Sequence, residues 1–415
     1  MKSEILNHLD QPEQLEALYR KDKAAFKAAF HELRPEFPDH VVLSVWEARL
    51  NYGKAILPTG KRKEILLVLL LAVLSGLFAK LPAFSGVEED HFYLRNFAFF
   101  VFPALSLYFL WREKASMQLL VGTGVAIGLL LIYINVLPFD LDSDTFVLTL
   151  LHQPLLLWGL TGLAFMGSLR HAPIQRLDYL HYNGDLVVIS TLIGLAGMIL
   201  TGMTIGLFEL IDINITEWYF EHLVVFCLPA IPIAGTFLIK NNPQIVGKIA
   251  PLIARIFSPI VLVMLTIYLF AMVFTGKEDP YNDREFLLLF NLLLIGVMAL
   301  MIFSLAGQAE ASQNRLSLVT LFLLAMVTIL INSIALSAIL FRIANYGITP
   351  NRAAVMGSNL LMLVNLLWVA FRMLQFLRKS DSTLHPGEAI GRFLPLYVLW
   401  VGLVTFGFPL IFGME

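Results

Sequence analysis

Asn351, Ser358, Asn365 and Arg372 recur every seven residues inside an otherwise apolar stretch near the end of the chain. Successive members of such a series drift only about 20° around an α-helix, so the four share one helical face. In hydrocarbon each of these groups is costly unless it meets protein, water or a ligand. The preceding apolar segment carries Asn332, Ser333 and Ser337. Two neighbouring helices striped in this way would line a permeation path or substrate cleft. Alternatively they would hold each other through interhelical hydrogen bonds worth about 1 kcal/mol apiece. His152, just before Pro154 in another apolar segment, is a candidate protonatable gate or a hydrogen-bonding partner for a neighbouring helix.

The striped segments are joined by Arg342-Ile-Ala-Asn-Tyr346-Gly347-Ile-Thr349-Pro350-Asn351-Arg352. Gly347 suits the left-handed residue that closes a helix, Thr349 suits an N-cap, and Pro350 suits the first helical position. Arg342 and Arg352 fall at one end of this helical pair. Their planar forks fit a lipid phosphate, another anionic ligand or the acidic loops. The segment RIANYGITPNR resembles the Arg-x-x-x-Tyr-Gly-(Leu/Ile)-Thr-x-Asn-Arg signature of an uncharacterised bacterial inner-membrane family catalogued as domain of unknown function 4153. The hydrophobic segments from about 64 to 412 are similar in number and style. The resemblance implies a bacterial inner membrane and brings no activity with it.

Other chemistry does not assemble. There is no P-loop, dinucleotide fingerprint, GxSxG elbow or HExxH pair. Asp140, Asp142 and Asp144 imitate the opening of a calcium loop, but Thr145 stands where glycine is needed and Leu151 where glutamate is needed. His171, Asp178 and His181 share a loop without metal-site spacing. With one cysteine, Cys227, the chain cannot form an internal disulfide. No catalytic residue, cofactor or metal is expected, and a net charge of −2 gives no reason to expect nucleic acid.

The elements that would position these residues are set by composition. The chain is 58% hydrophobic and 14% charged, against about 45–50% and about 25% in soluble domains. It reads as an all-α polytopic transmembrane bundle over residues 61–415, preceded by a cytoplasmic helical region over residues 1–60. A spanning helix needs about 20 apolar residues. Spans are expected near 64–81, 95–111, 117–137, 146–168, 185–209, 219–239, 256–275, 286–306, 317–341, 352–377 and 393–412.

With the N-terminus inside, one set of loops holds Lys54, Lys61, Arg62, Lys63, Arg112, Lys114, Arg170, Arg176, Lys240, Lys248, Arg255, Arg315, Arg372, Arg378, Lys379 and Arg392. The other holds Lys80, Arg95, Lys277, Arg284, Arg342 and Arg352. Basic loops stay cytoplasmic, so the chain reads as eleven spans, N-in and C-out.

Two short helices are expected before the first span, at about 10–33 and 40–52. The second would bury Val42, Val45, Trp46 and Leu50. Such a region buries little and would dock on the membrane domain or a cytoplasmic protein partner. Membrane lipids are the other expected partner. The polar stripe and kinking prolines point to a transporter or channel-like carrier for a small solute or lipid. The cytoplasmic region and the lack of buried charge point instead to a non-catalytic scaffold or envelope-stress sensor. A lipid-linked enzyme would require clustered carboxylates or histidines that the sequence does not supply.

Overall fold

The structure, a computed structural model, describes every residue except 10, 38–39, 52–58, 169–171, 210–213, 242–248, 275–283, 307–314, 379–385 and 414–415. Lys54, Arg170, Lys248, Lys277 and Lys379 of the expected charge pattern, and His171 of the His171, Asp178 and His181 loop, therefore lie outside the described residues. Among the described residues all regular structure is helical, with no strands. The chain divides into two compact units, Met1–Leu67 and Val68–Glu415.

Ahead of the helix at Thr59–Ala79, the described residues of the first unit form four α-helices: α1 (Lys2–Asn7), α2 (Pro12–Lys21), α3 (Lys23–Leu33) and α4 (Val41–Asn51). The single helix expected over about 10–33 is split at Asp22. Its backbone is extended there (φ −149°, ψ 96°), and its carboxylate accepts the Ala25 N–H at 2.9 Å. An aspartate that caps the next turn ends one helix and starts another. Phe26, Phe30, Leu33, Leu43, Trp46 and Leu50 close a core, with Trp46 lying 4.9 Å from Phe26 and 5.5 Å from Tyr19 between ring centroids. Ion pairs Lys2–Glu36 (2.7 Å), Arg34–Glu47 (2.6 Å) and Arg49–Glu16 (2.7 Å) surround it. Two expectations are thereby corrected. The region has a core of its own built from four helices, and Val45 faces outward, 62% exposed, while Leu43 takes the inner position.

In the second unit each expected apolar segment lies on a helix. After α5 (Thr59–Ala79), within which the units divide, come α6 (Glu89–Arg112), α7 (Met117–Val136), α8 (Asp144–Met166) and α9 (Pro173–Glu209). Then follow α10 (Thr216–Asn241), α11 (Ile249–Phe274), α12 (Arg284–Ala306), α13 (Arg315–Tyr346), α14 (Pro350–Arg378) and α15 (Gly387–Phe412). Eight of them are long and apolar enough to cross a membrane among the described residues: α6 to α10 and α13 to α15. Leu129, Ile132, Ile199, Leu200, Val263, Ile267, Leu399 and Leu410 are each more than half exposed. So extended an apolar surface is that of a protein solvated by lipid.

Two prolines explain how α15 is held. A proline inside a helix has no N–H for the carbonyl four residues earlier. Pro395 frees the Gly391 carbonyl, and the Arg176 guanidinium of α9 donates to it at 3.2 Å. Pro409 likewise frees the Thr405 carbonyl within a π-helical turn, Leu403–Gly407. That oxygen accepts from the Tyr133 hydroxyl of α7 (3.1 Å), and the Thr149 hydroxyl of α8 shares its one proton between it (3.3 Å) and the Thr145 carbonyl (2.9 Å). Side chains from three helices thus bond the backbone groups that the prolines expose, as membrane helices require.

Candidate functional site

The connection between α13 and α14 follows local backbone rules. Gly347 adopts φ +78° and its N–H bonds to the Ile343 carbonyl at 2.9 Å, closing α13. Thr349 caps α14 through its hydroxyl, which accepts the Arg352 N–H at 3.3 Å, and Pro350 is the first helical residue. The Arg352 guanidinium donates one nitrogen to two carbonyls of the turn, Tyr346 (3.0 Å) and Gly347 (2.7 Å), and its carbon lies 5.7 Å from the Tyr346 ring centre. One function of Arg352 is therefore to satisfy the carbonyls left open at the end of α13. Tyr346 itself is 62% exposed. Arg342 lies one turn beyond the buried Ala338 and Ile339, and its Nε is enclosed with no hydrogen-bond partner. Asn351 is half-buried at the head of α14.

Further along α14 the stripe turns toward α15. Ser358 accepts a hydrogen bond from the Trp400 indole at 3.1 Å, and Asn365 donates to the Tyr397 hydroxyl at 3.1 Å. Gly357 is what lets Trp400 approach, since a Cβ there would overlap the indole ring. Arg372 ends the series near the other end of α14, reaching Gln375 at 3.4 Å and the Trp368 ring at 5.9 Å.

The α13 residues meet a different part of α14. Asn332 donates to the main-chain carbonyl of Asn359 at 3.0 Å, and the Asn359 side chain donates to Asn291 of α12 at 2.9 Å. The stripes on the two helices therefore do not face one another across a shared space. Asn359 stands about 100° around the helix from Ser358, and it is Asn359 that faces α13. Ser333 is exposed and bonds within its own helix to the Ile329 carbonyl at 2.8 Å. His152 similarly bonds to the Leu148 carbonyl of its own helix at 2.8 Å. The fully buried group beside it is Gln153, which donates to the Arg95 carbonyl at 2.6 Å.

The result is a row of carboxamides and hydroxyls linking α12, α13, α14 and α15 inside an extended apolar core, which includes Leu294, Leu324, Ile331, Met362 and Leu366. Asn332, Asn359 and Asn365 are at most 1% exposed. In each of them the amide nitrogen is bonded, while the carbonyl oxygen has no partner. A buried acceptor left open costs about 1–3 kcal/mol. Three of them within one four-helix core point to an interior that accepts hydrogen-bond donors.

Asn291, Asn359, Tyr397 and Trp400 were not among the expected site residues. Asn359 breaks the seven-residue series, and the other three lie on helices whose rotation no local pattern reveals. Among the described residues no group of three His, Cys, Asp or Glu is placed to hold a metal ion. Comparison with protein-family models, curated proteins and solved structures finds no match to this chain.

Proposed function

We propose that the chain is a multi-pass carrier for a small solute or lipid in a bacterial inner membrane. In this reading it crosses eleven times, N-in and C-out, and α5, α11 and α12 are crossings in addition to the eight helices that qualify by length and hydropathy. The alternation of basic loops supports the orientation. The RIANYGITPNR turn supports the bacterial membrane setting through the family it resembles.

The observation that carries the carrier reading is the set of open carbonyl oxygens on Asn332, Asn359 and Asn365. A bundle selected only for packing would gain by replacing these amides together with their hydrogen-bond partners by apolar side chains. An interior that receives water or a solute with N–H or O–H groups has a use for the amides. The test is thiol access. In a Cys227→Ser background, Asn332→Cys should react with a small, charged, membrane-impermeant methanethiosulfonate reagent in membrane vesicles, and Leu324→Cys should not. Equal inertness of both would mean a dry, sealed core and a packing role for the row.

A scaffold or sensor reading has one observation in its favour. The N-terminal unit has its own core, yet Val41 and Val45 on α4 are 73% and 62% exposed, and Val45 borders a cleft with the charged Arg49 and Glu16. That surface suits a protein partner. It is compatible with a carrier regulated from the cytoplasm.

A further inference from the structure

We infer that the membrane unit binds an anionic phospholipid, with one acyl chain between α7, α8 and α15 and the phosphate at Arg176. The observation is a cleft of about 510 Å³ whose walls are almost wholly apolar, including Leu130, Trp158, Leu163, Val398 and Phe406. On α8 it extends from Leu156 to Met166, a rise of about 15 Å. That is the depth of one leaflet of a hydrocarbon core about 30 Å thick. The cleft therefore matches a chain entering from one membrane face and stopping at the midplane.

The ends of the cleft are chemically different. A second cleft of about 550 Å³ shares Leu160 and Leu163 with the first and is bordered by Ser116, Gln118 and Ser168. These residues lie near the start of α7 and the end of α8, the same end as Arg176. Among the described residues, Arg176 is the one charged side chain lining the two clefts. A polar mouth carrying the Arg176 guanidinium, opening onto an apolar slot one leaflet deep, complements a phosphodiester headgroup followed by a hydrocarbon chain.

Arg176 has a structural duty as well, because one nitrogen bonds the Gly391 carbonyl freed by Pro395. A guanidinium carries five N–H donors, so this bond leaves others for a phosphate. The slot is kept from collapsing by fixed walls. The Trp158 indole donates to Asn183 at 3.0 Å, and the Tyr179 hydroxyl donates to the Trp158 carbonyl at 2.7 Å.

Trp158 makes the site readable by fluorescence. Purified protein would be reconstituted in phosphatidylcholine liposomes containing a small fraction of either phosphatidylglycerol or phosphatidylcholine with brominated chains. Bromine quenches indoles at contact, and subtracting the Trp158→Phe signal isolates Trp158 from the lipid-facing tryptophans. Brominated phosphatidylglycerol should quench Trp158 at least twofold more than brominated phosphatidylcholine. Arg176→Gln should remove that preference and Arg176→Lys should keep part of it. Because Arg176→Gln also weakens the Gly391 bond, it would be repeated in a Pro395→Ala background, where the helix supplies its own donor to Gly391. Equal quenching by the two lipids would overturn the proposal. So would a preference that survives Arg176→Gln in that background, or a Trp158 that neither lipid quenches.

Discussion

Asn332, Asn359 and Asn365 carry most of what is unusual about this interior, and each can be tested by its chemistry. Removing both partners of a buried hydrogen bond in favour of apolar shapes is often neutral or stabilising. The pair Asn365→Leu with Tyr397→Phe should therefore melt in detergent no lower than the parent. Asn365→Leu alone would strand the Tyr397 hydroxyl and should cost about 1 kcal/mol. A pair that melts well below both single variants would show that the amide does more than bond Tyr397.

At the turn, Gly347 needs φ +78°, so Gly347→Ala should cost about 1–2 kcal/mol through backbone strain. Arg352→Ala should destabilise more than Arg352→Lys, because both carbonyls accept from a single guanidinium nitrogen and an ammonium also carries several donors on one nitrogen. Melting curves for the three variants would check both points. This turn was legible in the sequence because glycine, threonine and proline act through their own backbone neighbours. The Asn332–Asn359–Asn291 chain was not, because it depends on how three helices are rotated against each other.

For the helices, long apolar runs placed each expected segment on a helix, since a run of that length must fold its backbone inward, and eight of these are long and apolar enough to cross a membrane among the described residues. The devices inside them were less visible. Pro395 and Pro409 break the ladder of α15, and the carbonyls they free are taken by Arg176, Tyr133 and Thr149 from other helices. No spacing rule couples residues so far apart. Near the N-terminus the reverse occurred, and Asp22 split a stretch whose composition reads as one helix because its carboxylate competes for the backbone.

The α15 account predicts a coupling. Tyr133→Phe should cost about 0.5–1.5 kcal/mol in the parent. In a Pro409→Ala background the helix supplies the missing N–H to Thr405, so the same change should cost less. A double-mutant cycle in detergent measures this directly. Additive effects would show that the Tyr133 bond is incidental to the proline.

At the scale of the whole molecule, the two units rest on different solvents. The N-terminal unit buries aromatic side chains within a charged surface, as a protein in water does, while the second exposes Leu, Ile and Val in quantity. Residues 1–51 expressed alone should accordingly give a cooperative urea transition followed by Trp46 fluorescence. A featureless drift would mean that their core depends on the rest of the chain.

The central claim is a bundle crossed an odd number of times, with the charge alternation setting its direction. Eight crossings would put both chain ends on one side of the membrane, and eleven would put them on opposite sides. Epitope tags fused before Met1 and after Glu415, probed with protease in intact spheroplasts of a bacterial expression host, separate these cases. The account predicts a protected N-terminal tag and a cleaved C-terminal tag. Two tags with the same protection would contradict it.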